Sequence, residues 1–206
     1  MVGFRVCLLD ATYKTTKYDI PLFFLVVRAN ECYLVVGIFF IQVENTASIK
    51  EALDIFKAQN PDWNPVSWVT DFSEPEIWAI KGTFPMSRVY LCLFHRKQAW
   101  QWWLSKKNNL DVPGDSEQIL KLWEEIVESP SEEQFLTAKQ NLQSHELLTR
   151  NSGALDYFNK QWLSVSESWV KAYEDKENFF SNVTTTNGVE SLNKSVKHFF
   201  LDILQI

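Results

Sequence analysis

Apolar residues fall in short dense runs over the first part of the chain and at helical spacing thereafter. Phe4 to Leu9 is apolar except for Arg5, and it stops on Asp10, after which small and polar residues follow. That pattern predicts a buried strand with a carboxylate at its end. PLFFLVVRA (21–29) and YLVVGIFFIQV (33–43) are two further runs, linked by Asn30–Glu31–Cys32. Both are too rich in Val, Ile and Phe for a half-wetted sheet, so both faces are expected to be covered. Three successive strands with short links predict an antiparallel meander.

Helices then begin to alternate with strands. Thr46 or Ser48 is the expected cap of a helix running to Gln59, with Ile49, Leu53 and Phe56 on one face, and Asn60–Pro61 stops it. PVSWVTD (65–71) reads as a fourth strand, again ending on an aspartate, Asp71. A short helix over EPEIWAI (74–80), with Ile77 and Ile80 inward, precedes a fifth strand, RVYLCLFH (88–95), that carries Cys92 and His95 at its far end. Alternation of this kind favours parallel pairing of the later strands and an α/β fold class.

Residues 96–182 change character. They are charged, helical in spacing and punctuated by Val112–Pro113–Gly114, Ser129–Pro130 and Asn151–Ser152–Gly153, and they read as an all-helical insertion. Residues 183–206 hold a last helix, in which Val189, Leu192, Val196, Phe199 and Ile203 form an apolar stripe. Three parts follow: a strand-rich core over 1–95, the insertion over 96–182, and a closing helix over 183–206 that returns to the core.

Composition is that of a globular domain, with 46% hydrophobic and 22% charged residues. The three cysteines form no C-x-x-C pair, which fits free thiols in a reducing compartment. Residues 1–10 lack the basic start and small-residue cleavage site of a secretory leader, so the sequons at Asn182 and Asn193 have no secretory context. Arg28, Asn30 and Glu31 break the long apolar stretch 20–43, so no membrane span is expected. A net charge of −6 is unusual for a nucleic-acid binder. Basic residues must then cluster locally, or separate segments must hold the nucleic acid.

Asp10 and Asp71 carry the candidate chemistry. Two carboxylates at neighbouring strand ends repel unless a cation or a proton lies between them. Carboxylates so placed hold the divalent ions of two-metal phosphoryl transfer, although strand-end aspartates also serve as turn and cap residues. Glu190, in the first turn of the last helix, suits the helix dipole and forms an i,i+4 pair with Lys194. Cys92-x-x-His95 has metal-ligand spacing. Zinc wants four ligands, however, and Cys7, Cys32, His145 and His198 are not spaced to supply the rest, which leaves a buried thiol beside a hydrogen-bonded imidazole as the simpler state. Trp100, Trp102 and Trp103 with Lys106 and Lys107 suit base stacking and phosphate contact, or a core face with a solvated basic end.

Four strings taken in order, LLDATYKT, WVTDFSEPEIWAI, FPMSRVYLCLFHRKQAW and TTTNGVESLNKSVK, resemble the catalytic domain of Mutator-like element (MULE) transposases. The related domain of SWIM zinc-finger proteins is similar too. The resemblance spans about Phe4 to Phe200 and implies an RNase H-like fold: a five-stranded mixed sheet, three strands antiparallel and then two parallel, with an all-helical insertion before the last catalytic helix. It implies that Asp10, Asp71 and Glu190 are the DDE acids, holding Mg²⁺ with Mn²⁺ as substitute. It matches Cys92 and His95 to the family's C-x-x-H signature, and Asn187 and Asn193 to the asparagines flanking the glutamate. The implied partners are double-stranded DNA, as element ends and target, and a second subunit in a homodimer, with the nucleus as the site of action. Family members carry DNA-binding and SWIM zinc-finger modules outside this domain, so a fragment of a longer protein is expected. The alternative is a domesticated module that keeps the fold as a DNA- or protein-interaction surface without the chemistry.

Overall fold

The computed structural model describes residues 5–13, 18, 20–29 and 32–174. Glu190, Asn187 and Asn193 lie outside the described residues. Contacts divide the described chain into two units, one running through Phe94 and the other starting at His95.

The first unit is a five-stranded mixed sheet. Its strands are β1 (Val6–Thr12), β2 (Leu22–Ala29), β3 (Cys32–Phe40), β4 (Ser67–Thr70) and β5 (Arg88–Leu91), in the order β3-β2-β1-β4-β5. β1, β2 and β3 form the expected antiparallel meander. β4 pairs parallel to β1, with Leu8 opposite Val69, and β5 pairs parallel to β4. The parallel pairings follow from two crossover helices, α1 (Thr46–Gln59) and α2 (Glu74–Thr83), each returning the chain to the start of the sheet.

Both helices cover one face. Ile49 and Leu53 of α1 and Ala79 and Ile80 of α2 are buried against Leu9, Phe23, Leu25 and Trp68. Each such side chain taken fully out of water contributes about 1.5–3 kcal/mol. On the opposite face Leu8, Phe24, Val26, Val69 and Tyr90 form a second buried cluster. The central strands are therefore covered on both faces, as their unbroken apolar sequence requires.

Several local expectations are corrected. The cap of α1 is Asn45, whose Oδ1 accepts the Ser48 amide at 2.9 Å, rather than Thr46 or Ser48. β1 does not end at Asp10: Ala11 and Thr12 still pair with Phe23 and Leu22. β5 ends at Leu91, so His95 stands on the first turn of α3 (Leu93–Ser105) and not on a strand. In α2, Ile80 is buried as expected, but Ile77 is only partly buried, and Glu76 takes the inward position.

The second unit is helical. α3, α4 (Ser116–Val127), α5 (Glu132–Ser144), α6 (Glu146–Thr149) and α7 (Ser152–Tyr157) are followed by a π-turn at Phe158–Trp162 and short 3₁₀ turns to Tyr173. Its centre is aromatic. Trp100 meets Trp123, Phe158, Trp162 and Trp169 at centroid distances of 5.5–5.7 Å, mostly edge-on, the geometry that aromatic quadrupoles favour. Asp115 ties the unit's loops together. It accepts two bonds from Arg150, at 2.6 and 2.7 Å, and one from Asn151 at 2.8 Å. The guanidinium holds this carboxyl below its ordinary range.

Gly37 of β3 is required by close approach. A Cβ there would lie 2.6 Å from the tip of the Phe56 ring, and that ring leans on Phe39, which stacks on Phe23. Gly37→Ala is therefore expected to destabilise the chain by about 1–3 kcal/mol through overpacking. The loss should shrink when Phe56→Leu is introduced with it. Denaturant midpoints of the two single variants and the double variant check this.

Candidate functional site

The parallel pairing of β1 with β4 sets the site. Parallel neighbours end at the same edge of a sheet, the edge where open α/β folds place their chemistry. The last paired residues are Leu8 and Val69, and two residues beyond each stand Asp10 and Asp71. Asp10 is buried, while Asp71 is partly open. By the strand alternation Asp10 shares the face of Leu8 and Phe24, away from α1 and α2.

A third carboxylate joins them. Glu76, on the first turn of α2, is only 1% exposed, which is unusual for a glutamate in a short amphipathic helix. Ser73-x-x-Glu76 has the spacing of a capping box, yet Ser73 makes no side-chain cap bond. Glu76 instead accepts a hydrogen bond from the Thr70 hydroxyl, at the last residue of β4. Burial pushes its pKa up to about 8, Thr70 opposes the shift, and the charges of Asp71, Asp10 and Glu44 add to it. Glu76 thus feels both sequence-identified aspartates.

The rim is polar. Tyr13, just past β1, donates its hydroxyl to the Glu44 carboxylate, at 2.9 Å to the nearer oxygen. Burial, that hydrogen bond and the charges of Glu44, Glu76 and Asp71 all raise the phenol's pKa, so it remains a neutral donor. Five side chains from β1, the loop before α1, β4 and α2 therefore share one electrostatic neighbourhood dominated by acids.

Softer donors lie alongside. Cys92, buried directly after β5, donates its amide to the Thr70 carbonyl at 2.8 Å. Its Sγ and an Asp71 oxygen lie within 4.8 Å of each other. His95, the first residue of the second unit, stands on the first turn of α3. The other thiol and imidazole in view serve elsewhere. Cys7 is buried on the helix-covered face, where burial pushes its thiol far up, and His145 Nδ1 accepts the Leu147 amide at 3.2 Å in capping α6. The side chains of Cys32 and His198 lie outside the described residues.

The tryptophan and lysine cluster divides three ways. Trp100 is the centre of the helical core, and Trp103 stacks on Tyr157 at 4.3 Å. Trp102 is exposed beneath the Lys106 ammonium, 3.3 Å from its ring centroid. One face is core and one end is a solvated cation–π pair.

Glu76 is the residue that sequence reasoning missed. Periodicity assigned the inward face of α2 to Ile77 and Ile80, and a glutamate in a first helical turn is ordinarily a solvated dipole partner. The signal available was the S-x-x-E string directly after a strand ending Val-Thr-Asp.

Comparison with known proteins bears on the fold. A family model described as Zinc finger SWIM domain-containing protein 1/3, RNaseH-like domain, matches residues 5–90. No curated protein matches the chain. Among solved structures the chain is similar to a chain of the simian T-cell lymphotropic virus intasome in complex with PP2A regulatory subunit B56 gamma. Identity is 14% over 60% of this chain and 49% of that one, with a TM-score of 0.33, so the chain spans about half the length of that neighbour. It is similar also to the catalytic core domain of BIV integrase, at 10% identity over 77% of this chain and 86% of that one, with a TM-score of 0.31. The family match takes in β1 through β4 with both crossover helices and reaches into β5, and with the mixed five-stranded sheet it makes this unit an RNase H-like domain.

Proposed function

We propose that this chain is the catalytic domain of a DDE-type DNA transposase of the MULE kind, cleaving DNA and joining strands in the nucleus. The observation that carries the reading is the juxtaposition at one sheet edge of Asp10, Asp71 and a buried Glu76 whose proton affinity their charges raise. Carboxylates gathered in this way repel one another, and a divalent cation would relieve that repulsion.

The donors fit a hard ion. Asp10 and Asp71 offer carboxylate oxygens, which suit Mg²⁺ or Mn²⁺. They would hold the metal, with Glu190 as the third acid. When bound, the metal supplies Lewis-acid stabilisation of the phosphoryl oxygens and a more acidic attacking hydroxyl. The chain's own groups do the positioning. Asp10 is held within a buried strand, and Asp71 directly follows Thr70, whose hydroxyl donates to Glu76. Glu76, held as the neutral acid below about pH 8, keeps the local negative charge from exceeding what the two aspartates contribute. Water attacks a phosphodiester at the element's end and the 3′-oxygen leaves as a hydroxyl; that 3′-hydroxyl then attacks a target phosphodiester in line, forming the new ester bond as the target strand's own 3′-oxygen is displaced.

Asp10→Asn and Asp71→Asn are each expected to reduce Mn²⁺-dependent cleavage of duplex DNA to background while the far-ultraviolet circular dichroism stays unchanged. Equal cleavage by the wild type and both variants, measured on a labelled duplex, would end the proposal. Cleavage without any strand joining would mark a nuclease of the same fold.

Glu76 makes a further prediction. Its pKa rises from an ordinary 4.5 to about 8 in the folded protein. Between those values the native state holds a proton that the unfolded chain has released, so metal-free stability should fall as pH rises from about 5 to 8. Glu76→Gln should flatten that slope, and millimolar Mn²⁺ should flatten it in the wild type. Thermal midpoints at pH 5 and pH 8 test this, and an unchanged slope in Glu76→Gln would remove Glu76 from the site's charge balance.

A further inference from the structure

The net charge of −6 is spread unevenly along the chain. Of the 26 acidic residues none falls between Ile77 and Leu110, and the acid-free run ends at Asp111. α3 and the turn after it lie within this run. In the helical unit the outer side of α3 carries Gln98, Gln101, Trp102 and Ser105, all exposed and at helical spacing, so they share one face. Lys106, Lys107 and Asn108 continue the exposed surface past the helix end. Lys97 is engaged by Glu124 of α4 at 2.5 Å, so Lys106 and Lys107 are the cations of this end.

Trp102 stands out on that face. Its neighbour Trp103 stacks on Tyr157, with the rings 9° from parallel, and lies 6.2 Å from Trp123. Trp103 thus ties α3 to the rest of the helical unit and turns Trp102 outward. Trp102 is 63% exposed, an unusual state for the largest apolar side chain on a helix whose Trp100 centres the core. Lys106 Nζ lies over the indole, 3.3 Å from its centroid. The carbonyls that end a helix ordinarily repel an anion. Here those of Trp102 and Trp103 accept bonds from the Ser105 hydroxyl and the Asn109 amide side chain, each at 2.8 Å, and that of Lys106 accepts the Asn109 backbone amide at 3.1 Å.

We propose that this face of α3 binds single-stranded nucleic acid. An unpaired base stacks on Trp102 at the face opposite Lys106, and Lys106 and Lys107 take the flanking phosphates. Gln101 and Asn108 offer neutral hydrogen-bonding groups at the margin. An acidic peptide would satisfy the lysines and leave the indole unused. A paired base has its faces covered by its neighbours in the duplex, so the occupant is an unpaired strand. Every base has a π-face, which makes the contact tolerant of sequence. The proposal goes beyond the duplex substrate of the catalytic reading and does not rest on it, because none of these residues belongs to the acidic edge of the sheet.

The test is binding of a labelled oligothymidylate about twelve nucleotides long to the 206-residue chain, followed by fluorescence anisotropy in EDTA so that the outcome is independent of cleavage. The strand is expected to bind more tightly than its abasic counterpart, which has the same phosphates without bases, and more tightly than a duplex of the same length. Trp102→Leu should weaken binding by about tenfold or more, whereas Trp102→Phe, which keeps a ring to stack on, should retain most of it. Lys106→Gln and Lys107→Gln should each weaken binding and lower the slope of log affinity against log salt by about 0.7. These side chains are exposed, so circular dichroism should be unchanged in all four variants. A chain that binds no strand, an abasic strand or duplex bound as tightly as oligothymidylate, Trp102→Leu binding as the wild type does, or polyglutamate displacing the strand as effectively as unlabelled oligothymidylate would each overturn the proposal.

Discussion

Repulsion among carboxylates at one edge of the sheet is the constraint around which this molecule is arranged. β1 is flanked by an antiparallel neighbour on one side and a parallel one on the other. Only the parallel neighbour finishes where β1 finishes, so Asp10 finds Asp71 and not a residue of the meander. Coulomb energy between such groups grows as water is excluded, and Asp10 and Glu76 are both buried.

That packing is lopsided in kind. The helix-covered face of the sheet is built on aromatic contact: Trp63, Trp68 and Phe84 lie within 5.1–5.7 Å of one another, and Phe23 stacks on Phe39. These rings fix the strands that carry the acids. Rigid elements locate a site better than loops do, and the aspartates sit within or directly after strands while Glu76 sits on a helix. Thr70 completes the arrangement, because the last residue of β4 is hydrogen-bonded to α2 through Glu76. Helix and strand are thereby joined at the point where the charge is concentrated.

The helical unit follows a different logic. Its centre is a cage of indole and phenyl rings around Trp100, and Arg96 lies over Trp100 and Trp169 at 4.6 and 5.4 Å. A buried guanidinium is costly unless rings and carbonyls take its charge. Here two indole faces and the Trp169 carbonyl, at 3.4 Å, do so. Its polar ties, Asp115 with Arg150 and Asn151, satisfy loop groups that would otherwise be buried without partners.

The sequence alone determined the strand runs, the two crossover helices, the switch to a helical region after the fifth strand and the place of Asp71 directly after the fourth strand. Those features depend on periodicity and on local punctuation, which neighbouring residues encode. It also reached the mixed sheet, because two short links followed by two helical crossovers leave few alternatives for pairing. What it left undecided depended on distance in the chain. Glu76 rather than Ile77 joins Ala79 and Ile80 on the fully buried face of α2, because the Thr70 hydroxyl, six residues back on β4, gives its carboxyl a partner there. His95 lies on a helix because β5 ends one residue before Cys92, a boundary set by pairing with β4. The sequence of β3 reads as a fully covered strand from its composition, and its place at the end of the strand order among the described residues is what leaves Leu34, Ile38 and Phe40 exposed. Hydrophobic pattern states that a residue prefers to be buried, whereas the tertiary arrangement alone decides which buried groups share a charge field and which strand comes last in the sheet order.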